Sequence, residues 1–325
     1  MALPGSGTIK LSDIKTEFSG GNNLTDYYRN GSYVPDYAQN SGVPTSGSIS
    51  LTDFYGASDV APAQNYYPTG NNLNITSSVL SAQGFNSSLP VNVYINSQAY
   101  GTTTSNNALY INNLSGWADV TFHINALLRG DGGNGGNSSN GSGGAGGPAL
   151  LIHASNTSSK LTIYNNSTIY AGGGGGGGGA RYSVSDYRTS GTSKDGYTCN
   201  FTATRYRGGG GGGGGRGYSA AGGARTTSTD GCSAYAHGVA GGTGTASVNG
   251  AGGSRGYTYN QPGSTNQCGS CRIAYGGSGG AGGGIGATGS NGTSGAGGAK
   301  GYAIRNYNHA SWPSGLGSYV GSLTS

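Results

Sequence analysis

Two unbroken runs of eight glycines, Gly172–Gly179 and Gly208–Gly215, constrain this chain more than any other feature. Glycine clusters recur at Gly222-Gly223, Gly241-Gly242, Gly252-Gly253, Gly276-Gly277 and Gly282 to Gly284. Ordering a residue costs on the order of 1–2 kcal/mol of backbone entropy, with glycine at the top of the range. Such runs are therefore either flexible spacers or parts of a lattice in which nearly every backbone group is bonded. Two features favour the lattice: Tyr- and Arg-rich segments of similar length separate the runs, and an apolar, aromatic tail follows them. In extended helices of the polyproline II kind, with three residues per turn, N–H and C=O groups point outward. Without Cβ atoms such helices can approach closely and bond to one another. A bundle of them, with the intervening segments as loops at its ends, is the expected arrangement.

Composition agrees. Glycine supplies 71 of 325 residues and charged residues only 8%, so backbone hydrogen bonding must replace much of the aliphatic burial of an ordinary core. The opening Met1-Ala2-Leu3-Pro4 is no secretory signal, and no apolar run approaches the roughly 18 residues of a membrane span. A soluble chain with no export address of its own is expected.

Residues 1–58 contain a repeat. Leu3-Pro4-Gly5-Ser6-Gly7-Thr8-Ile9-Lys10-Leu11-Ser12-Asp13-Ile14 aligns with Val43-Pro44-Thr45-Ser46-Gly47-Ser48-Ile49-Ser50-Leu51-Thr52-Asp53-Phe54. Alternation of Ile and Leu with polar residues predicts a short half-buried strand in each copy. Ser-Asp or Thr-Asp then predicts a helix N-cap, with about a turn of helix over Ile14–Phe18 ended by Gly20-Gly21. Two such units, paired, would make a small docking module. Residues 59–130 predict a small β domain: Val91, Val93 and Ile95 alternate with Asn92 and Tyr94, and Leu109–Ile111 and Val120–Ile124 repeat the habit.

A second repeat ties the glycine to ordered strands. Val120–Asn125, then Leu127–Gly130, then Gly132-Gly133 is matched by Leu161–Asn166, then Thr168–Ala171, then the first eight-glycine run. Strand, turn, strand and glycine run thus occur twice in phase. After Gly298 the tail (Tyr302-Ala303-Ile304, Trp312, Leu316, Tyr319-Val320) is expected to pack back as a strand or anchor. The whole reads as mostly β and irregular: a repeat module (1–58), a small β domain (59–130), and a glycine-rich domain of polyproline II-type helices with long loops and a C-terminal anchor (131–325).

Catalytic chemistry finds no support. The four histidines are scattered and the acidic residues are Glu17 and ten aspartates, which offer no paired carboxylates for glycoside hydrolysis and no nucleophile–base pairing. Matches to a dinucleotide fingerprint are inevitable in polyglycine. Lys300 lacks the Ser or Thr that a phosphate-binding loop requires, and one Arg207-Gly208-Gly209 triplet is thin ground for RNA binding. No enzyme activity, cofactor, metal or nucleic-acid partner is expected.

The Pro4–Asp13 and Pro44–Asp53 modules resemble short modules of bacteriophage virion and tail proteins. Glycine runs alternating with loops from Gly172 to Gly298 resemble the distal tail-fibre adhesins of T-even-like phages, and the closing Gly297-Gly298, Tyr302-Ala303-Ile304, Trp312, Gly315 and Gly317 resemble the ends of glycine-rich phage tail proteins. That resemblance implies stacked glycine-rich helices whose loops bind a bacterial receptor, on a virion assembled in the host cytoplasm and acting outside the cell. It also implies other tail or fibre proteins as partners, through the N-terminal module. A monomer at a fibre tip and a trimer both remain open, as does a structural tail-fibre or baseplate component without receptor contact.

The segments between glycine runs carry the binding chemistry. From Arg181 to Tyr275 nine basic residues face three acidic ones, so this region is +6 and the remainder −1 of the total +5. A confined positive field favours an anionic partner, such as lipopolysaccharide or the rim of an outer-membrane protein. Tyrosine for rigid amphipathic contact, arginine for carboxylate or phosphate, and adaptable Ser and Asn make up the composition of an antibody paratope. Three segments stand out: 181–207, 218–237 and 255–275. The candidate receptor-binding residues are Arg181, Tyr182, Tyr187, Arg188, Tyr197, Arg205, Tyr206, Tyr218, Arg225, Tyr235, Arg255, Tyr257, Tyr259, Arg272 and Tyr275. The blander alternative is tyrosines that only cap the glycine bundle. Cys199, Cys232, Cys268 and Cys271 lie in the same region as candidate disulfide staples, with three pairings open and free thiols or a metal site as alternatives.

Overall fold

Segments in which every second residue is apolar form the spine of the protein. In the computed structural model, Val91–Ile95, Val120–Ile124 and Leu161–Asn165 are neighbouring parallel strands, with Val91 opposite Val120 and Val120 opposite Leu161. Their inward residues Val93, Ile95, Phe122, Ile124 and Ile163 are wholly buried. Parallel pairing of alternating strands follows because the period of two puts one apolar row inside. The structure describes residues 2–138, 141–180 and 277–325. Between 180 and 277 it describes 182–187, 191–192, 198–199, 202–207, 214–217, 219–225, 234–236, 239–245, 247–252, 257–259 and 274–275.

Each turn of chain adds strands to three parallel sheets. The first sheet runs Gln64–Tyr66, Val91–Ile95, Val120–Ile124, Leu161–Asn165. The second runs Ala99–Tyr100, Leu128–Arg129, Thr168–Tyr170, Ser318–Val320. The third runs Leu73–Ile75, Leu109–Ile111, Leu150–Ile152, Tyr302–Arg305, Ser322–Thr324. The result is a parallel β-solenoid with one core, in which strands before and after residue 130 share sheets. Among the described residues helix is sparse, with α-helices at Leu11–Phe18 and Ser77–Ala82, so the mostly-β expectation holds.

Polar ladders clothe the outside. Tyr94, His123 and Tyr164 occupy one register row and stack with centroids 4.6 and 5.3 Å apart, and Tyr67 stacks on Tyr94 at 5.1 Å. Burial in this stack lowers the pKa of His123 below the ordinary histidine value. Asn166 and Asn125 each donate a side-chain N–H to the next asparagine's Oδ1 at 2.8 Å. Buried Asn156 accepts from Leu114 N–H at 2.9 Å and donates to the carbonyls of Ile111 and Asn112, which ties down a turn the strands leave unpaired.

Residues 3–57 form a separate apolar cluster around Ile14, Phe18, Tyr27, Val34, Val43 and Phe54. The expected strands do not form there. Each Leu-Ser/Thr-Asp run instead opens a helical turn, and its aspartate sits at the third helical position rather than at the cap. Lys10 N–H donates to Asp13 Oδ2 at 2.9 Å, and Ser50 N–H donates to Asp53 Oδ2 at 2.8 Å. The carboxylate satisfies an orphan amide of the first turn, which favours helix over pairing. Leu24-Thr25-Asp26-Tyr27 is a third instance, with Asn23 N–H donating to Asp26 Oδ2 at 3.3 Å. The first helix ends at Ser19, in the left-handed region, one residue before the glycine pair.

Candidate functional site

The solenoid places the glycine in a definite gap. On successive turns the chain crosses from the second sheet to the third through residues 101–108, then 130–149, then 171–301. The last crossing holds both eight-glycine runs. It is anchored at one end by Thr168–Tyr170 and at the other by Tyr302–Arg305, which pairs with Leu150–Ile152.

Gly172–Gly179 is buried throughout and bonded with a period of three. Gly172, Gly175 and Gly178 N–H groups donate to Gly147, Gly144 and Gly141 O at 2.8–3.0 Å, and their carbonyls accept from Gly301, Gly298 and Gly295. Gly173 and Gly176 carbonyls accept from Gly133 and Gly136 N–H. Gly174 and Gly177 donate to Ala287 and Ser290 and accept from Gly283 and Gly280. Gly173 N–H also reaches Arg216 O at 2.9 Å. One run is thus surrounded by six segments and held by main-chain bonds, which only residues without Cβ permit at this spacing.

Side chains finish the array where glycine ends. Asn134 and Asn137 Oδ1 accept from Ala221 and Ala224 N–H at 3.0 and 2.8 Å, and Thr293 Oγ1 accepts from Ala180 N–H at 2.9 Å. At its base Arg129 lies between the rings of Tyr100 and Tyr170, 5.8 and 5.4 Å from their centroids, in one register row. Burial lowers its pKa, Arg216 adds to that, and the two tyrosines oppose it. Composition gave no sign of these positions. The offset of 41 residues between Leu128 and Ile169 marks Arg129 and Tyr170 as neighbours in one row, which Tyr100, at a different spacing, joins only through strand pairing.

The array carries small antiparallel elements where the receptor-binding candidates fall. Tyr182–Tyr187 pairs with Thr202–Arg207, so Tyr182 stands opposite Arg207, Tyr206 opposite Ser183, Arg205 opposite Val184 and Tyr187 opposite Thr202. Tyr257–Tyr259 is the middle strand of a three-stranded sheet with Ala234–Ala236 and Ala274–Tyr275. Tyr257 is opposite both Ala236 and Tyr275, Tyr235 is opposite Thr258, and Tyr259 is opposite Ala234. The second and third sequence segments are therefore joined by strand pairing. Arg225 is exposed at the end of a glycine segment. Cys199 is opposite Gly191 in a further pair. Arg181, Arg188, Tyr197, Tyr218, Arg255, Arg272, Cys232, Cys268 and Cys271 lie outside the described residues. Among the described residues no three His, Cys, Asp or Glu side chains converge as a metal site would require.

The family model described as phage tail fibre adhesin Gp38 matches residues 64–324. No curated protein matches the chain. A solved chain from the crystal structure of the gp37-gp38 adhesin tip complex of the bacteriophage S16 long tail fiber is similar, at 23% identity and a TM-score of 0.46. The match covers 86% of this chain and 88% of that one.

Proposed function

The chain belongs to the phage tail fibre adhesin Gp38 family, and from that membership we propose that it attaches the virion to its host through segments 181–207, 218–237 and 255–275. It is a tail component with a receptor-binding role, as its family is. The finer assignment rests on one observation. The segments rich in Tyr and Arg interrupt a glycine array whose backbone is bonded on all sides and anchored at both ends to adjacent sheets of the solenoid. The three-residue bonding period supports polyproline II-type helices packed as a sandwich. Such a base lowers the entropy lost when the loops bind. The net charge of +6 over the whole stretch 181–275 favours an anionic partner, such as lipopolysaccharide or an acidic outer-membrane protein rim. Residues 1–58, with an apolar core of their own and outside the family match, suit docking onto other tail or fibre proteins.

The test is adsorption. Purified full-length protein is expected to bind host cells saturably and, added before phage, to reduce infection in proportion to coverage. Binding should weaken as salt rises, since exposed charge contacts are screened. Protein that assembles into virions yet neither adsorbs nor protects would contradict the reading.

A further inference from the structure

A half-open cleft of about 380 Å³ lies on the outer side of the third sheet, within the size range of small-molecule sites. Its lining includes Asn72, Asn74, Asn106, Asn107, Tyr110 and Leu151. We propose that this cleft binds a neutral saccharide, as a site separate from the segments assigned to the host receptor.

The chemistry of the lining selects the ligand. No charged side chain takes part, so neither an anion nor a cation finds a counter-charge. Each asparagine amide offers both donors and an acceptor, which matches neighbouring hydroxyls that likewise give and accept. Tyr110 and Leu151 supply apolar surface against which the C–H face of a pyranose can rest. A purely apolar ligand would offer nothing to the amides of Asn74, Asn106 and Asn107, while that of Asn72 is held by Thr102.

The cleft is preformed. Asn72, at φ 50°, donates to Thr102 Oγ1 at 2.6 Å and accepts from Thr102 N–H at 2.8 Å. Asn106 N–H donates to Thr103 O at 3.1 Å, and Leu73 N–H donates to Ala108 O at 2.9 Å. These bonds fix residues 101–108 against the first strand of the sheet. The crossing is too short to extend outward as the glycine segments do, and it leaves a concavity at their root.

Full-length protein is titrated with the methyl glycosides of glucose, galactose and mannose, with glucuronic acid, and with the delipidated core oligosaccharide of the host. Binding is followed by saturation-transfer NMR and calorimetry. At least one neutral sugar should bind at a single site, and Asn74→Ala and Asn107→Ala should each weaken it about tenfold. Asn74 is exposed, so its variant keeps the fold, and an unchanged melting temperature confirms that. A neutral free sugar binding as tightly as the core oligosaccharide assigns the pyranose itself. Tighter binding of the oligosaccharide, still sensitive to Asn74→Ala, assigns a host glycan. The proposal is overturned by no saturable binding of any sugar, by glucuronic acid binding best, or by affinity unchanged in both variants. Each of these results leaves the adsorption reading standing, because the segments 181–275 are untouched.

Discussion

Gly175→Ala is expected to destabilise the protein by about 3 kcal/mol or more, although it adds only one methyl group. A Cβ at Gly175 would lie 2.8 Å from Gly133 O and closer still to Asn134 O, inside the 3.0 Å that real Cβ atoms keep. Every atom it meets is main chain, and those segments are themselves bonded into the array. Gly133 N–H is tied to Gly173 O at 2.8 Å and Gly144 N–H to Asn134 O at 2.7 Å. No side chain can swing aside, so relief requires two helical segments to part and lose their shared bonds. Gly284 is the internal control, since a Cβ there meets nothing within 4 Å; Gly284→Ala should change stability by less than about 0.5 kcal/mol. Denaturant unfolding of both variants measures the contrast. Equal midpoints would mean that the glycine run is not packed as described.

Phe122→Ala is expected to cost about 3–5 kcal/mol. Phe122 is fully buried at the centre of the first sheet, paired with Val93 on one side and Ile163 on the other. Its removal opens a cavity between rigid strands that cannot close over it. The consequence reaches beyond the solenoid, because the crossing that holds the glycine runs starts and ends on strands of this same core. Unfolding monitored by tryptophan fluorescence should show the midpoint fall. Loop-dependent adsorption should be lost in the same transition rather than at higher denaturant. A loss under 1 kcal/mol, or adsorption outlasting the core, would separate the two parts and contradict the shared anchorage.

The strands were legible because alternation survives any loop length. Val91–Ile95, Val120–Ile124 and Leu161–Asn165 each expose a period of two. The offset between the last two reappears as the register pair Val120 and Leu161. What alternation cannot show is which strands stack, because the crossings grow from residues 101–108 to residues 171–301. Tyr302–Arg305 therefore gives no local sign that its neighbour is Leu150–Ile152. The N-terminal repeat is visible in the sequence as repetition, but its helical form is not. An aspartate three residues beyond Lys10 or Ser50 bonds the backbone amide of that residue, which turns the expected strands into helical turns. For the candidate site, composition picked residue types but not their pairing. That Tyr235 lies opposite Thr258 depends on main-chain pairing between two different segments, 218–237 and 255–275, which no local pattern announces.

The central claim is that the glycine array is a scaffold and the segments between its runs carry recognition. Exchanging residues 181–207, 218–237 and 255–275 together for those of a family member with a different host tests it most directly. The scaffold residues 172–179 and the solenoid are left unchanged. Transfer of adsorption and host range to the donor's host is the predicted result. Host range that stays with the solenoid and residues 1–58 would contradict the account.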